Sequence, residues 1–166
     1  MFYKVINYFQ NTYKTWSNLI KINNLDLNKK SIIFYVENSS DWAHLEMIVN
    51  SLKKSNKNIV KITSDLNDKY IGFENVFYIG LGSARTFLFR TIKAKSIIMT
   101  LPDLDSFYLK RSIYPVHYFY VFHSMVSTHR NYREHAFDAY DTIFCVGEHH
   151  INEIRKTEKV YNLPKK

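Results

Sequence analysis

A histidine that directly follows an apolar run is the residue best suited to chemistry in this sequence. His123 comes immediately after residues 117–122 (HYFYVF), and an imidazole with an ordinary pKa of about 6.5 can accept a proton near neutral pH. If the run is a buried strand, His123 stands at its carboxyl end, where open α/β sheets bind their ligands. The position predicts a general base, and a purely structural histidine is the alternative.

Hydroxyls and a guanidinium follow this histidine closely. They stand at the start of a helix that the pattern predicts over residues 128–139, so they would either contact a ligand or cap that helix. The candidate ligand contacts in this segment are Ser124, Ser127, Thr128 and Arg130.

A second candidate site is a glycine-containing turn that leads into a predicted helix. Gly80 and Gly82 leave room for a ligand to approach the backbone, while Ser83 and Arg85 lie where the helix N-terminus presents unpaired N–H groups to an anion. The G-x-G spacing is only half of a dinucleotide fingerprint, because Arg85 occupies the third glycine position. We expect phosphate or polar-ligand contact here, with a plain tight turn as the alternative.

Metal binding is not expected. Asp103 and Asp105 have a D-x-D spacing that can hold a divalent cation, but solvated loop carboxylates explain them better. Lys110 and Arg111 could likewise meet a phosphate, although a solvated role is favoured. The histidines between residues 117 and 150 match no zinc motif, and the single cysteine excludes a multi-cysteine zinc site. No cofactor is expected either.

Short apolar runs alternate with helical patterns and define the elements that must position these residues. Such alternation predicts an α/β fold, a Rossmann-like, mainly parallel sheet with helices on both faces. The predicted strands are residues 31–37, 58–63, 75–80, 96–101, 117–122 and 141–147, and the predicted helices are residues 42–55, 83–93, 128–139 and 148–156. Residues 38–41 are expected to cap the first of these helices.

The first 30 residues form a predicted amphipathic helix and linker, and residues 31–166 form the Rossmann-like domain. The helix is free of acidic residues up to Asp26, so its apolar face could lie in a membrane interface or dock onto the domain. The apolar face consists of Phe2, Val5, Ile6, Phe9, Tyr13, Trp16 and Ile20. At the other end, residues 160–166 (VYNLPKK) are expected to form an exposed connector toward a further domain.

The composition favours an anionic partner and argues against a disulfide-stabilised or membrane-spanning chain. The 166 residues carry a net charge of +8, which suits an anionic partner such as a phosphate-bearing metabolite, a membrane surface or nucleic acid. One cysteine excludes an internal disulfide framework, and no apolar run reaches the roughly 20 residues that cross a bilayer. Nucleic acid is disfavoured as a partner, because no recognition motif is present and most aromatic residues fall inside predicted strands.

Two long stretches carry a family resemblance. Residues 80–105 (GLGSARTFLFRTIKAKSIIMTLPDLD) and 115–158 (PVHYFYVFHSMVSTHRNYREHAFDAYDTIFCVGEHHINEIRKTE) resemble the N-terminal domain of bacterial CDP-glycerol glycerophosphotransferase-like proteins. These proteins make teichoic acids, capsules and other surface carbohydrates. The resemblance extends over residues 31–166, is most specific over residues 116–155, and is weak over the first 30 residues.

The resemblance implies the N-terminal, acceptor-binding half of a GT-B-type transferase. In such an enzyme a CDP-linked donor binds mainly to a C-terminal domain, which would lie outside these 166 residues, and an acceptor hydroxyl attacks the donor phosphate as CMP leaves. His123 matches the family's base, although Ser124 stands where the family has glycine. The implied location is the cytoplasm, either free or at the inner face of the membrane. The alternative is a non-enzymatic binding module for a lipid-linked glycan or an anionic membrane.

Overall fold

Six strands form one all-parallel sheet in this computed structural model, which describes residues 2–124 and 126–166 and leaves out the side chains of residues 2–5 and 129. The strands are β1 (Ile32–Val36), β2 (Ile59–Thr63), β3 (Val76–Tyr78), β4 (Ser96–Met99), β5 (His117–Val121) and β6 (Thr142–Phe144). The helices are α1 (Phe2–Asn24), α2 (Trp42–Lys54), α3 (Ser83–Thr91), α4 (Thr128–Asn131) and α5 (Glu148–Tyr161), with a short 3₁₀ turn at Ser39–Asp41.

The strand order is β3-β2-β1-β4-β5-β6, and every neighbouring pair is parallel. Ile32 of β1 pairs with Ile59 of β2 on one side and with Ser96 of β4 on the other. The chain therefore builds outward in one direction from β1 to β3, then returns to the centre and builds outward in the other direction. The predicted Rossmann-like parallel sheet is confirmed, and the point where the direction reverses lies between β1 and β4.

Both faces of the sheet are buried. Alternate residues of β1 point to opposite faces, and each set packs in a core of its own. Phe34 and Val36 pack in a smaller core under α2. Ile33 and Tyr35 belong to a larger core that also contains residues of α1, α3 and α5. Helices on both faces, as predicted, position the loops at the carboxyl edge.

The prediction of a helix over residues 128–139 is wrong in its length, because α4 ends at Asn131. The backbone is extended at Tyr132, and His135 adopts a left-handed φ of 67°. This path brings Phe137 and Tyr140 against the Tyr120 ring, with ring centroids 4.8 and 5.2 Å away. Burial of large aromatic side chains therefore outweighs the local helical pattern in this segment.

The C-terminal helix is longer than predicted. Helix α5 continues to Tyr161 rather than ending near residue 156, so the first two residues of the expected exposed connector are helical. Lys166 is half-buried, and its Nζ donates to the carbonyl oxygens of Asp138 at 2.5 Å and Tyr140 at 2.6 Å. The connector prediction is therefore wrong for Lys166, which is hydrogen-bonded to the domain.

Helix α1 docks through a stripe other than its aromatic one. Thr15, Leu19 and Ile22 are buried, and the Asn18 side chain donates to the Tyr78 carbonyl oxygen at 2.8 Å. The buried Lys30 side chain donates to the Ile22 carbonyl at 3.0 Å and fixes the end of the helix. Within the described residues, no helix combines the length and the apolarity that crossing a membrane requires.

Candidate functional site

The reversal point between β1 and β4 is the natural crevice of the fold, because the connections from the two strands leave in opposite directions. Asp41 ends the 3₁₀ turn after β1, and Thr100 directly follows β4. The Thr100 hydroxyl donates to the Asp41 carboxylate at 3.3 Å. This contact places a carboxylate at the centre of the carboxyl edge.

His123 lies beside this crevice. It follows β5 after one intervening residue, the buried Phe122, whose N–H donates to the Phe144 carbonyl at 3.1 Å. The His123 side chain is half-buried, and its Nδ1 atom is buried without a hydrogen-bond partner among the described residues. Buried polar atoms generally have hydrogen-bond partners, so this nitrogen is available to a ligand or to water.

A second imidazole, absent from the sequence-based prediction, approaches His123. His44 lies in the first turn of α2 and is exposed, and its ring centroid is 5.6 Å from that of His123. Its place three residues after Asp41, at the start of the helix that follows β1, was the available signal, because residues i and i+3 share one side of a helix. Asp41, His44, Thr100 and His123 therefore form the candidate site.

Helix α5 fixes the loop that carries His123. The Glu153 carboxylate accepts hydrogen bonds from the Ser127 hydroxyl at 2.6 Å, and from the N–H and hydroxyl of Thr128 at 2.6 and 2.5 Å. The fully buried His150 pairs its Nε2 with the Val126 carbonyl oxygen at 2.7 Å. The hydroxyls of Ser127 and Thr128 therefore hold this loop against α5. The contacts with a ligand that the sequence predicts for them stay predictions.

The two other predicted contacts in this segment differ in exposure. Ser124 is half-buried immediately after His123, whereas Arg130 is exposed on α4. Met125 lies outside the described residues, as does the side chain of His129. The roles proposed for Ser124 and Arg130 therefore also remain predictions.

The glycine turn lies well away from His123. The turn follows β3, four strand positions from β5, which corresponds to roughly 19 Å at the usual strand spacing. Gly80 has a left-handed φ of 66°, and a Cβ there would lie 3.1 Å from Thr15 Cγ2. Gly82 instead faces open space. Gly80 is therefore required by the turn and by the packing of α1. Only Gly82 leaves the backbone near the exposed Ser83 accessible to a ligand.

Arg85 reaches from this turn toward the centre of the sheet. Its guanidinium pairs with the Glu37 carboxylate and donates to the Tyr35 hydroxyl at 3.1 Å, and that hydroxyl lies 2.9 Å from Ser64 Oγ. Burial raises the pKa of the Tyr35 phenol to about 12, so the phenol is neutral at physiological pH. Arg85 Nε is buried and has no partner among the described residues. The network ties α3 to the end of β1, and whether Arg85 also meets a ligand stays a prediction.

The basic residues after β4 are engaged by the protein itself. Arg111 donates to both carboxylate oxygens of Asp141, at 3.0 and 2.8 Å, and to the carbonyl oxygens of Ala139 and Val116. Partial burial opposes the charge on Asp141, but hydrogen bonds from Arg111 and the Tyr118 N–H hold the pKa of that carboxyl below its ordinary value. Arg111 therefore has a structural role, since it joins the segment after β4 to Asp141 and to the backbone at Val116 and Ala139.

A cavity of about 300 Å³ lies between α5 and the segment around residues 132–138. Several charged side chains that line it already have partners: His135 Nδ1 lies 2.6 Å from Asp138 Oδ2, Glu158 pairs with Arg155, and Lys166 Nζ donates to backbone carbonyl oxygens. None of the four candidate-site residues lines it. We therefore place the site at the carboxyl edge and not in this cavity. Among residues 2–124 and 126–166, no three side chains of the metal-binding types converge on one point.

No family model, curated protein or solved structure matches the chain significantly.

Proposed function

We propose that this chain is the acceptor-binding domain of a transferase that moves a phosphate-linked alcohol from a CDP-linked donor to a surface-polymer acceptor at the cytoplasmic membrane face. His123 acts as its general base. The proposal rests on the resemblance of residues 116–155 and on the place of His123 beside the crevice between β1 and β4.

The place of His123 at the carboxyl edge, beside the crevice and against His44, is the observation that carries the proposal. Its Nδ1 atom has no partner among the described residues, but the fully buried His150 also leaves its Nδ1 unpartnered, so this feature alone does not identify a base. His123 differs from His150 in being half-buried, at the edge where substrates bind. The neighbouring His44 is well placed to contact the same ligand.

The chemistry that His123 would perform is a single proton transfer. The acceptor hydroxyl oxygen forms a bond to the donor phosphorus as the bond from that phosphorus to CMP breaks, and CMP leaves with the electron pair. The hydroxyl proton passes to the neutral imidazole. Phosphoryl transfer depends mainly on positioning and on charge stabilisation, so the base would contribute about 10²–10⁴ in rate.

The test compares two histidines at opposite ends of β5. His123→Asn removes the base at the carboxyl end of β5, whereas His117→Asn changes an exposed histidine at the opposite end. Both variants are measured in the enzyme in which the chain is joined to its donor-binding half, with CDP-glycerol as donor and a lipid-linked glycerol phosphate as acceptor. We expect the single-turnover rate to fall about 10²–10⁴-fold for His123→Asn only, with thermal unfolding little changed.

A near-normal rate in a folded His123→Asn variant would show that His123 is not the base. Acceptor binding without any CMP release by the wild-type enzyme would favour the binding-module alternative. Isothermal titration with the same acceptor separates these outcomes, since it measures binding without turnover.

A further inference from the structure

The aromatic stripe of α1 faces away from the domain. Phe9, Tyr13, Trp16 and Ile20 recur at steps of four, three and four residues and so share one side of the helix. Their side chains are 65, 77, 37 and 56 % exposed. The helix docks through Thr15, Leu19 and Ile22, which lie on a neighbouring side, about a third of a turn away. The domain therefore leaves Phe9, Tyr13, Trp16 and Ile20 of the predicted apolar face exposed, while the Phe2 and Val5 side chains lie outside the described residues.

Helix α3 extends this surface. The Phe87 ring is 49 % exposed and lies 5.9 Å from the Trp16 ring. Arg90, three residues later on the same side of α3, is also exposed. We call the set Phe9, Tyr13, Trp16, Ile20 and Phe87 the aromatic face.

The two helices that carry the aromatic face have charged residues of one sign only. Helix α1 contains no aspartate or glutamate, and its Lys14 and Lys21 are exposed, with the Lys14 Nζ 5.3 Å from the Tyr78 ring centroid. Helix α3 contains no acidic residue either and adds Arg90. Cations with apolar stems can keep their charge in the headgroup region while aromatic rings enter the acyl boundary.

We infer that the aromatic face is a docking surface for an anionic lipid bilayer, with α1 lying in the plane of the interface. Tryptophan and tyrosine favour this zone because their rings are apolar and their polar atoms stay hydrated. A second copy is a poorer occupant, since neither helix that carries the face has an acidic residue that could pair with the cations of the other copy. The inference rests on exposure and charge and does not depend on the transferase proposal.

The experiment is flotation of the purified chain with vesicles of phosphatidylcholine alone or mixed with phosphatidylglycerol. The double variant Phe9→Ser/Tyr13→Ser removes two rings of the face, and Tyr108→Ser removes an equally exposed ring from the loop after β4. We expect binding to the anionic vesicles only, a loss of at least about tenfold in the double variant, and little change for Tyr108→Ser. Binding should also weaken at 0.5 M salt, where charges are screened.

Tryptophan fluorescence gives an independent reading. Trp42 is 5 % exposed and donates its indole N–H to Asp68 at 2.6 Å, so vesicles should affect only Trp16. A blue shift and quenching by brominated lipid would place Trp16 in the bilayer.

Three results would overturn the inference. They are the absence of flotation at low salt, equal binding of the double variant and the wild type, or a self-associated species that the double variant abolishes while vesicles stay unbound. Because the substituted side chains are exposed, unchanged thermal unfolding serves as the folding control.

Discussion

Glu153→Ala should loosen the loop that carries the candidate base. The Glu153 carboxylate accepts three hydrogen bonds from Ser127 and Thr128, all at 2.5–2.6 Å, and so joins α5 to the segment that begins at His123. Thr128 is 7 % exposed, which means that its N–H cannot simply turn to water when the carboxylate is removed.

The magnitude follows from these contacts. A hydrogen bond to a charged group contributes about 1.5–3 kcal/mol, and a buried donor left without an acceptor costs about 1–3 kcal/mol. The three bonds share one carboxylate and are not additive, so we expect a loss of about 3 kcal/mol in unfolding free energy. For a chain of this size that corresponds to a fall in Tm of about 6–12 °C.

Urea unfolding and thermal melting measure this change directly. Glu148→Ala is the matched control, because Glu148 is an exposed glutamate on the same helix, and it should cost less than about 1 kcal/mol. Glu153→Gln keeps one acceptor oxygen and should fall between the two. Equal stability of the Glu153→Ala and Glu148→Ala variants would refute the argument that this carboxylate holds the loop.

Two further predictions concern the network at the glycine turn. Gly80→Ala should lower the free energy of unfolding in urea by about 1–2 kcal/mol, because φ is 66° there and the new Cβ would crowd Thr15. Gly82→Ala is the control and should cost about 0.5 kcal/mol or less. Similar losses for both variants would contradict the packing described. The pKa of Tyr35 is about 12 in the folded chain, above its ordinary value of 10. The stability that the neutral Tyr35 phenol contributes to the fold is therefore complete below pH 10 and is lost as pH rises toward 12. Urea unfolding at pH 8, 10 and 11 should show this decline, and Tyr35→Phe should reduce the loss at pH 11 by about 1.4 kcal/mol, since pH 11 is one unit above the ordinary tyrosine pKa. An equally steep decline in the variant would be evidence against it.

The sheet could be predicted because its strands are short apolar runs with polar residues at their ends. The runs containing β1, β4 and β5 are buried on both sides and need no tertiary information to be recognised. The carboxyl-edge position of His123 follows from the same reasoning. The place of His44 three residues after Asp41 indicates the carboxyl edge, but not that α2 brings it against a loop about 80 residues later, and so it escaped prediction.

The segment after α4 shows where local pattern fails. Apolar residues between 132 and 140 recur as they would on a helix, but Phe137 and Tyr140 are placed by rings of distant β5. For Arg85 the sequence indicated a charge at a helix start, but not that Glu37 and Tyr35 already engage it. Partners far apart in sequence decide such roles, and spacing within a segment cannot reveal them.

The central place of β1 has a consequence during synthesis of the chain. One edge of β1 pairs with β2, which emerges from the ribosome soon afterwards, but the other edge pairs with β4, which ends about 60 residues later. At about 5–20 residues per second that edge waits roughly 3–12 s with unpaired backbone groups and apolar side chains exposed. A nascent chain stalled before residue 96 should therefore be the form that aggregates or recruits a chaperone, and release should follow once β4 has been made.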